Sequence, residues 1–145
     1  MRIYVICLMV LAVQLGAFAA DETAAQLAMR ADSSSLDQQP ALYLKAAHLQ
    51  LKSADAHYDQ GKVEEGANDV KLLTEYADKA ADTSIRSGKK LKDAEIEIRK
   101  ISSRLTDIRH SLSFDDQAPV KAAAEHLEEL RTKLLARMFS KDKKK

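Results

Sequence analysis

The sequence contains one cysteine, Cys7, and no tryptophan in 145 residues. A single thiol cannot form a disulfide within its own chain, so the fold must depend on a packed core. Aromatic residues make up only 5% of the chain, and there are two prolines and four glycines. Runs of aromatic and β-branched residues, which are typical of strands, are absent after residue 37. These absences exclude a disulfide scaffold and favour an all-α protein.

The chain also lacks an excess of either charge. It has 23 Lys and Arg residues against 22 Asp and Glu. A nucleic-acid-binding protein would need a basic patch or stripe with interleaved aromatics. Only the terminal "KDKKK", residues 141–145, is strongly basic, and we interpret it as a solubilising tail. Nucleic acid is therefore excluded as a partner.

The first residues, "MRIYVICLMVLAVQLGAFAA", combine one positive charge at Arg2, an apolar run and a small-residue end. This pattern is typical of a secretory signal peptide over residues 1–19, and Ala17 and Ala19 predict cleavage after Ala19. An uncleaved anchor is the alternative, because Ile3 to Ala20 is barely long enough to span a bilayer. The expected location is secreted or periplasmic, with no stable membrane insertion after cleavage.

Residues 20–36 show no sustained apolar period, and we predict a flexible leader. Helical spacing then begins, and residues 37–140 are predicted to form one helical domain. The first helix is expected over about 41–60, with Pro40 in its first turn and Gly61 as its stop. The second is expected to start near Val63, and the last covers about 120–138.

The stretch "LKDAEIEIRKISSRLTDIRHSL", residues 91–112, has the clearest apolar pattern. We name it and its complement on the last helix the apolar seam. Its residues are Leu91, Ile98, Ile101, Leu105, Ile108, Leu112, Leu127, Leu130 and Leu134. Counting in sevens from Val63 reaches Leu112 without a change of register. The count predicts a long central helix over about 63–113, roughly 75 Å long, with coiled-coil-like antiparallel arms at both ends.

A second architecture remains open at this point. A break at the possible hinge, Ser87 and Gly88, would divide the long helix and allow a compact four-helix bundle. A glycine inside a helix costs about 1 kcal/mol relative to alanine, so Gly88 alone does not decide between the two.

Two resemblances accompany these patterns. The stretch "AHYDQGKVEEGANDV", residues 56–70, resembles the helical hairpin of tetratricopeptide units, although no second unit follows at the required period. From about Asp37 to Phe139 the chain resembles signal-bearing α-helical bacterial proteins of uncharacterised activity. This second resemblance implies an all-α fold and no particular chemistry.

Residues that carry chemistry do not form a recognisable set. The four histidines are His48, His57, His110 and His126, and no two have the i, i+4 spacing of helical metal ligands. We interpret them as solvated side chains beside the seam. There is no Gly-x-Ser-x-Gly motif and no glycine-rich phosphate loop. The sequence therefore predicts no catalytic, cofactor-binding or metal-ligating residues, and no enzyme.

The functional prediction follows from the seam and the signal peptide. We predict a non-enzymatic, extracytoplasmic helical interaction or scaffold protein that binds a protein partner and self-associates through the long helix. The alternative is a four-helix bundle that binds a small ligand, a metal or haem.

Overall fold

The computed structural model describes residues 21–140, and this part of the chain is all-α, as predicted. The α-helices are α1 (Ala24–Asp32), α2 (Gln39–Asp59), α3 (Val63–Ser87), α4 (Leu91–Ser111) and α5 (Ala118–Ser140). A short 3₁₀ helix, Phe114–Asp116, lies between α4 and α5. The predicted signal peptide and basic tail lie outside the described residues. Within residues 21–140, no helix is both long enough and apolar enough to cross a membrane.

The turn between α2 and α3 forms where the sequence predicted it. Gly61 has φ +72°, a left-handed conformation that favours glycine. The N–H of Lys62 donates to the carbonyl of His57 at 2.8 Å, and that of Gly61 donates to the carbonyl of Tyr58 at 3.0 Å. These two bonds close the end of α2 in a Schellman motif. Gly66 then packs face-on against Tyr58, since a Cβ at residue 66 would lie 2.9 Å from the ring.

The predicted continuous helix over 63–113 is wrong. Helix α3 ends at Ser87 and α4 begins at Leu91. Gly88 has φ +67° and Lys90 has φ +58°, so two left-handed residues reverse the chain. The break lies at the hinge that the alternative architecture required. The count in sevens did not detect it because the positions on either side of the turn, Ser84 and Leu91, are both buried.

The four long helices pack on one another. Helix α2 contacts α3 and α4, and α5 likewise contacts α4 and α3, so each has at least two neighbours among them. The predicted seam lies in the core: eight of its nine residues are buried, and Leu112 is partly buried. Alanine accounts for 11 of the 28 buried hydrophobic residues of the described chain. Small side chains of this kind allow neighbouring helices to approach closely.

The predicted flexible leader also requires correction, because residues 24–32 form helix α1. Thr23 and Gln26 form a reciprocal capping box, in which each side chain accepts a hydrogen bond from the backbone N–H of the other. Leu27, Ala28 and Ala31 are buried, and α1 packs against α2. A helix of nine residues is too short to show a sustained apolar period, which explains why the pattern search missed it.

Candidate functional site

Three of the four histidines join neighbouring helices. Nε2 of His48 on α2 lies 2.7 Å from Oε2 of Glu97 on α4. Nε2 of His126 on α5 lies 2.7 Å from Oδ1 of Asp78 on α3. The third pair joins His57 on α2 to α3 and is described next. The side chains of His48, His57 and His126 are 38%, 31% and 35% exposed, so solvent reaches them as predicted, but each is also held by a carboxylate on another helix, which the sequence did not reveal.

A buried carboxylate, Asp69 on α3, organises the polar contacts between α2 and α3. It accepts hydrogen bonds from Ser53 Oγ at 2.7 Å and from Gln50 Nε2, and it pairs with His57 Nδ1 at 2.6 Å. Ser53 donates to Asp69, so the hydroxyl is not paired with the imidazole as it would be in a nucleophilic triad. The arrangement satisfies a carboxylate that is only 8% exposed, and its chemistry is that of a structural anchor.

The contact between α4 and α5 has its own ion pair. Arg131 donates from Nε at 3.0 Å and from Nη2 at 2.8 Å to the same oxygen of buried Glu95. Ser102 Oγ donates to Glu128 at 2.8 Å beside it. These charges are therefore used between helices.

One of several surface depressions is a groove between the first half of α2 and the start of α4. Its volume is about 340 Å³. We name it the α2–α4 groove. It is lined by Pro40, Ala41, Leu44, Lys45, His48, Lys90, Asp93 and Glu97. Pro40 and Leu44 are buried and Ala41 is exposed, so the apolar side chains of α2 form a floor that solvent reaches from above.

Charged side chains surround this floor. Glu97 pairs with Lys100 at 2.8 Å and with His48. The hydrogen bond from Lys100, together with that from His48, holds the pKa of Glu97 below its usual range, although burial alone would raise it. Lys90 Nζ lies 3.7 Å from Asp93. Lys45 is exposed and has no ion-pair partner among the described residues. The rim therefore presents one uncompensated cation beside an apolar floor.

A shallower depression adjoins the groove and shares Ala41 and Lys90 with it. Its other lining residues are Arg30, Ser34, Asp37, Gln38 and Leu42. The two depressions make the surface around the start of α2 concave on both sides of Ala41. Within residues 21–140, no group of three or more His, Cys, Asp or Glu side chains is placed to hold a metal ion.

Large apolar side chains also remain exposed. Phe114 in the 3₁₀ helix is 88% exposed, Met29 is 68%, Phe139 is 64% and Leu72 is 39% exposed. Phe114 is followed directly by Asp115 and Asp116. The chain thus displays an isolated aromatic ring next to two carboxylates.

No protein-family model matches the sequence, and neither a curated protein nor a solved structure matches it. The functional argument therefore depends on the groove and on the exposed side chains. The predicted seam residues belong to the core, and the predicted hinge forms the turn that places Lys90 on the groove rim. Sequence reasoning missed the groove, because it requires knowing that residues 40–48 pack beside residues 90–97.

Proposed function

We propose that the protein is a non-enzymatic, extracytoplasmic helical interaction module that binds apolar side chains of a protein partner in the α2–α4 groove. The observation that carries this proposal is the apolar floor of Pro40, Ala41 and Leu44 beneath a charged rim. The extracytoplasmic location rests on the signal-peptide pattern of residues 1–19.

The size and chemistry of the groove favour a side chain as its occupant. A volume of about 340 Å³ lies at the small end of ligand pockets, which range from about 300 to 1,000 Å³. Burial of one large apolar side chain contributes about 1.5–3 kcal/mol. The charged rim supplies orientation, because a partner carboxylate near Lys45 would be attracted and a partner cation would be repelled.

The packing supports a different mode of association from the one predicted from the seam. Ile98, Ile101 and Leu105 are fully buried inside the chain, so they are not available to a second molecule. The architecture that best fits the helix contacts is a four-helix bundle of α2 to α5, with α1 packed on α2. In that bundle a partner binds to the outside of a completed core.

A small amphipathic ligand is the second candidate occupant of the same groove. The apolar floor beside Lys45 favours a short alkyl or aromatic group that carries a carboxylate. Such a ligand would bind without any protein partner. Mass spectrometry of the purified protein after denaturation distinguishes the two candidate occupants, because only a small-molecule ligand would be released and detected.

The proposal is tested by NMR titration of the ¹⁵N-labelled protein with N-acetyl-phenylalanine amide. We expect shifts confined to amides around the groove, such as those of Ala41, Leu44 and Glu97, with a dissociation constant on the order of 1–10 mM for a single side chain. The variant Ala41→Trp fills the groove and should abolish these shifts. The matched variant Ala136→Trp changes an exposed alanine on α5 and should leave them intact.

The result that overturns the proposal is equally specific. Shifts spread over the core, or no shifts near the groove, would show that the floor does not bind an apolar side chain. Shifts that persist unchanged in Ala41→Trp would place the binding elsewhere.

A further inference from the structure

We propose that the occupant of the α2–α4 groove is Phe114 of a second copy of this chain. This inference rests on the proposed function, because it uses the same groove, and it adds the identity of the partner. It joins the most exposed large apolar side chain of the described residues to the groove with an apolar floor.

Phe114 is held in place by its loop. Ser113 Oγ donates to Asp116 at 2.6 Å, and Gln117 Nε2 donates to the carbonyl of Leu112 at 3.1 Å. These bonds fix the 3₁₀ turn while the ring remains 88% exposed. A single exposed apolar side chain is ordinary in a soluble protein. On a fixed turn, however, binding orders only the side-chain torsions of the ring and not the backbone, which makes Phe114 a suitable anchor.

The charges next to the ring complement those of the groove. Asp115 is exposed and has no ion-pair partner among the described residues, as is also true of Lys45 on the groove rim. The other rim charges have partners: Asp93 is near Lys90, and Glu97 pairs with His48 and Lys100. When the ring enters the groove, Asp115 therefore meets an available cation, and the acids on the rim are already compensated.

The position of Phe114 makes the contact intermolecular. Lys90 precedes the first residue of α4, and Phe114 follows its last turn. A helix of 21 residues is about 32 Å long at 1.5 Å per residue, so the ring is far from the groove of its own molecule. Two copies joined by one such contact leave one groove and one Phe114 free. These either pair with each other in a symmetric dimer or bind further copies in a head-to-tail chain.

The first measurement is sedimentation velocity on the processed protein, purified from the extracytoplasmic fraction, from about 10 μM to 2 mM. We expect the average mass to rise with concentration from that of a monomer to that of a dimer or a longer chain, with a dissociation constant on the order of 0.1–1 mM for so small a contact. Phe114→Ala should weaken association at least tenfold. Phe139→Ala removes another exposed ring at the end of α5 and should have no effect.

A complementation experiment then tests the pairing itself. Phe114→Ala keeps a free groove, and Ala41→Trp keeps a free Phe114, so neither variant should associate with itself. Mixed together, they should form heterodimers of one copy each and nothing larger. Asp115→Lys should weaken that heterodimer when placed in the Ala41→Trp copy, and Lys45→Glu in the Phe114→Ala copy should restore it.

Several results would overturn the inference. These are a monomer at every concentration, association unaffected by Phe114→Ala, or a mixture that yields no heterodimer. If the protein stays monomeric but N-acetyl-phenylalanine amide still shifts the groove amides, self-docking fails and the proposed function stands. If the groove amides do not respond either, both fail.

Discussion

Nδ1 of His57 lies 2.6 Å from Oδ2 of Asp69, and this contact joins the last turn of α2 to the second turn of α3. The same oxygen accepts a hydrogen bond from Ser53, and the other carboxylate oxygen accepts one from Gln50. Both helices leave the Gly61 turn within a few residues of this cluster. The buried carboxylate therefore fixes how the first helical hairpin closes.

Removal of this carboxylate should destabilise the protein. Asp69→Ala leaves the donors on Gln50, Ser53 and His57 without their shared acceptor, so we expect the free energy of unfolding to fall by about 2–4 kcal/mol. Urea denaturation followed by circular dichroism measures this change. Asp107→Ala is the matched control on α4, since Asp107 is exposed and its nearest cation, Arg104, is 4.0 Å away; it should change stability by less than about 0.5 kcal/mol. Equal effects of the two substitutions would contradict an anchoring role for Asp69.

The turn at residues 88–90 gives a prediction whose sign separates two architectures. Gly88 has φ +67°, where a side chain costs about 1–2 kcal/mol. Gly88→Ala should therefore lower the free energy of unfolding by about that amount. In a continuous helix the same substitution would raise it by about 1 kcal/mol. Thermal and urea unfolding of the variant measure the difference, and a stabilised variant would restore the long-helix architecture.

A companion substitution examines the other left-handed residue of the turn. Lys90 has φ +58°, so Lys90→Gly relieves backbone strain while it increases the freedom of the unfolded chain. These effects oppose each other, and we expect a net change within about 0.5 kcal/mol. This small change, beside a clear loss for Gly88→Ala, is the expected signature of the turn.

The environment of Tyr43 should make the free energy of unfolding depend on pH in the alkaline range. The phenol of Tyr43 on α2 donates to Asp32, and Lys79 lies 3.6 Å from that carboxylate. Burial, together with the hydrogen bond to Asp32, raises the pKa of Tyr43 to about 12. Between about pH 10 and 12 the unfolded chain loses this proton while the folded protein keeps it. The contribution of Tyr43 to the free energy of unfolding is therefore fully present below pH 10 and decreases as the pH rises.

The measurement is the urea midpoint of the wild type and of Tyr43→Phe between pH 9 and 11.5. Burial also raises the pKa of Tyr58 and of Tyr76, and both remain in the variant. We therefore expect Tyr43→Phe to show a shallower decline than the wild type above pH 10. Parallel curves would mean that the Tyr43 phenol is not protected by folding.

Much of the core could be predicted from the sequence, because the spacing of apolar residues along a single helix identifies its buried face. Apolar residues three and four apart share one face of a helix, so Ile98, Ile101 and Leu105 could be assigned to the core without knowing their partners. Leu112 marks the limit of this rule: it follows the last residue of α4 and is only partly buried.

The features that the sequence did not reveal depend on tertiary packing or on short segments. Helix α1 has one capping box and only nine residues, which is too little for a periodic pattern. The buried positions on the two sides of the turn at Gly88 are seven residues apart, so the count in sevens did not reveal the break. The groove and the His48–Glu97 pair join residues 49 positions apart, and no local spacing encodes which helices become neighbours.

The alanine-rich core has a consequence for the entropy of folding. Leucine, isoleucine and methionine lose rotamer freedom when they are buried, whereas alanine has none to lose. With 11 of the 28 buried hydrophobic residues being alanine, ordering these side chains opposes folding less than in a core of long residues. The same property has a disadvantage for packing, because alanine side chains cannot change rotamer to fill a gap. A substitution that separates two helices therefore removes many small contacts at once.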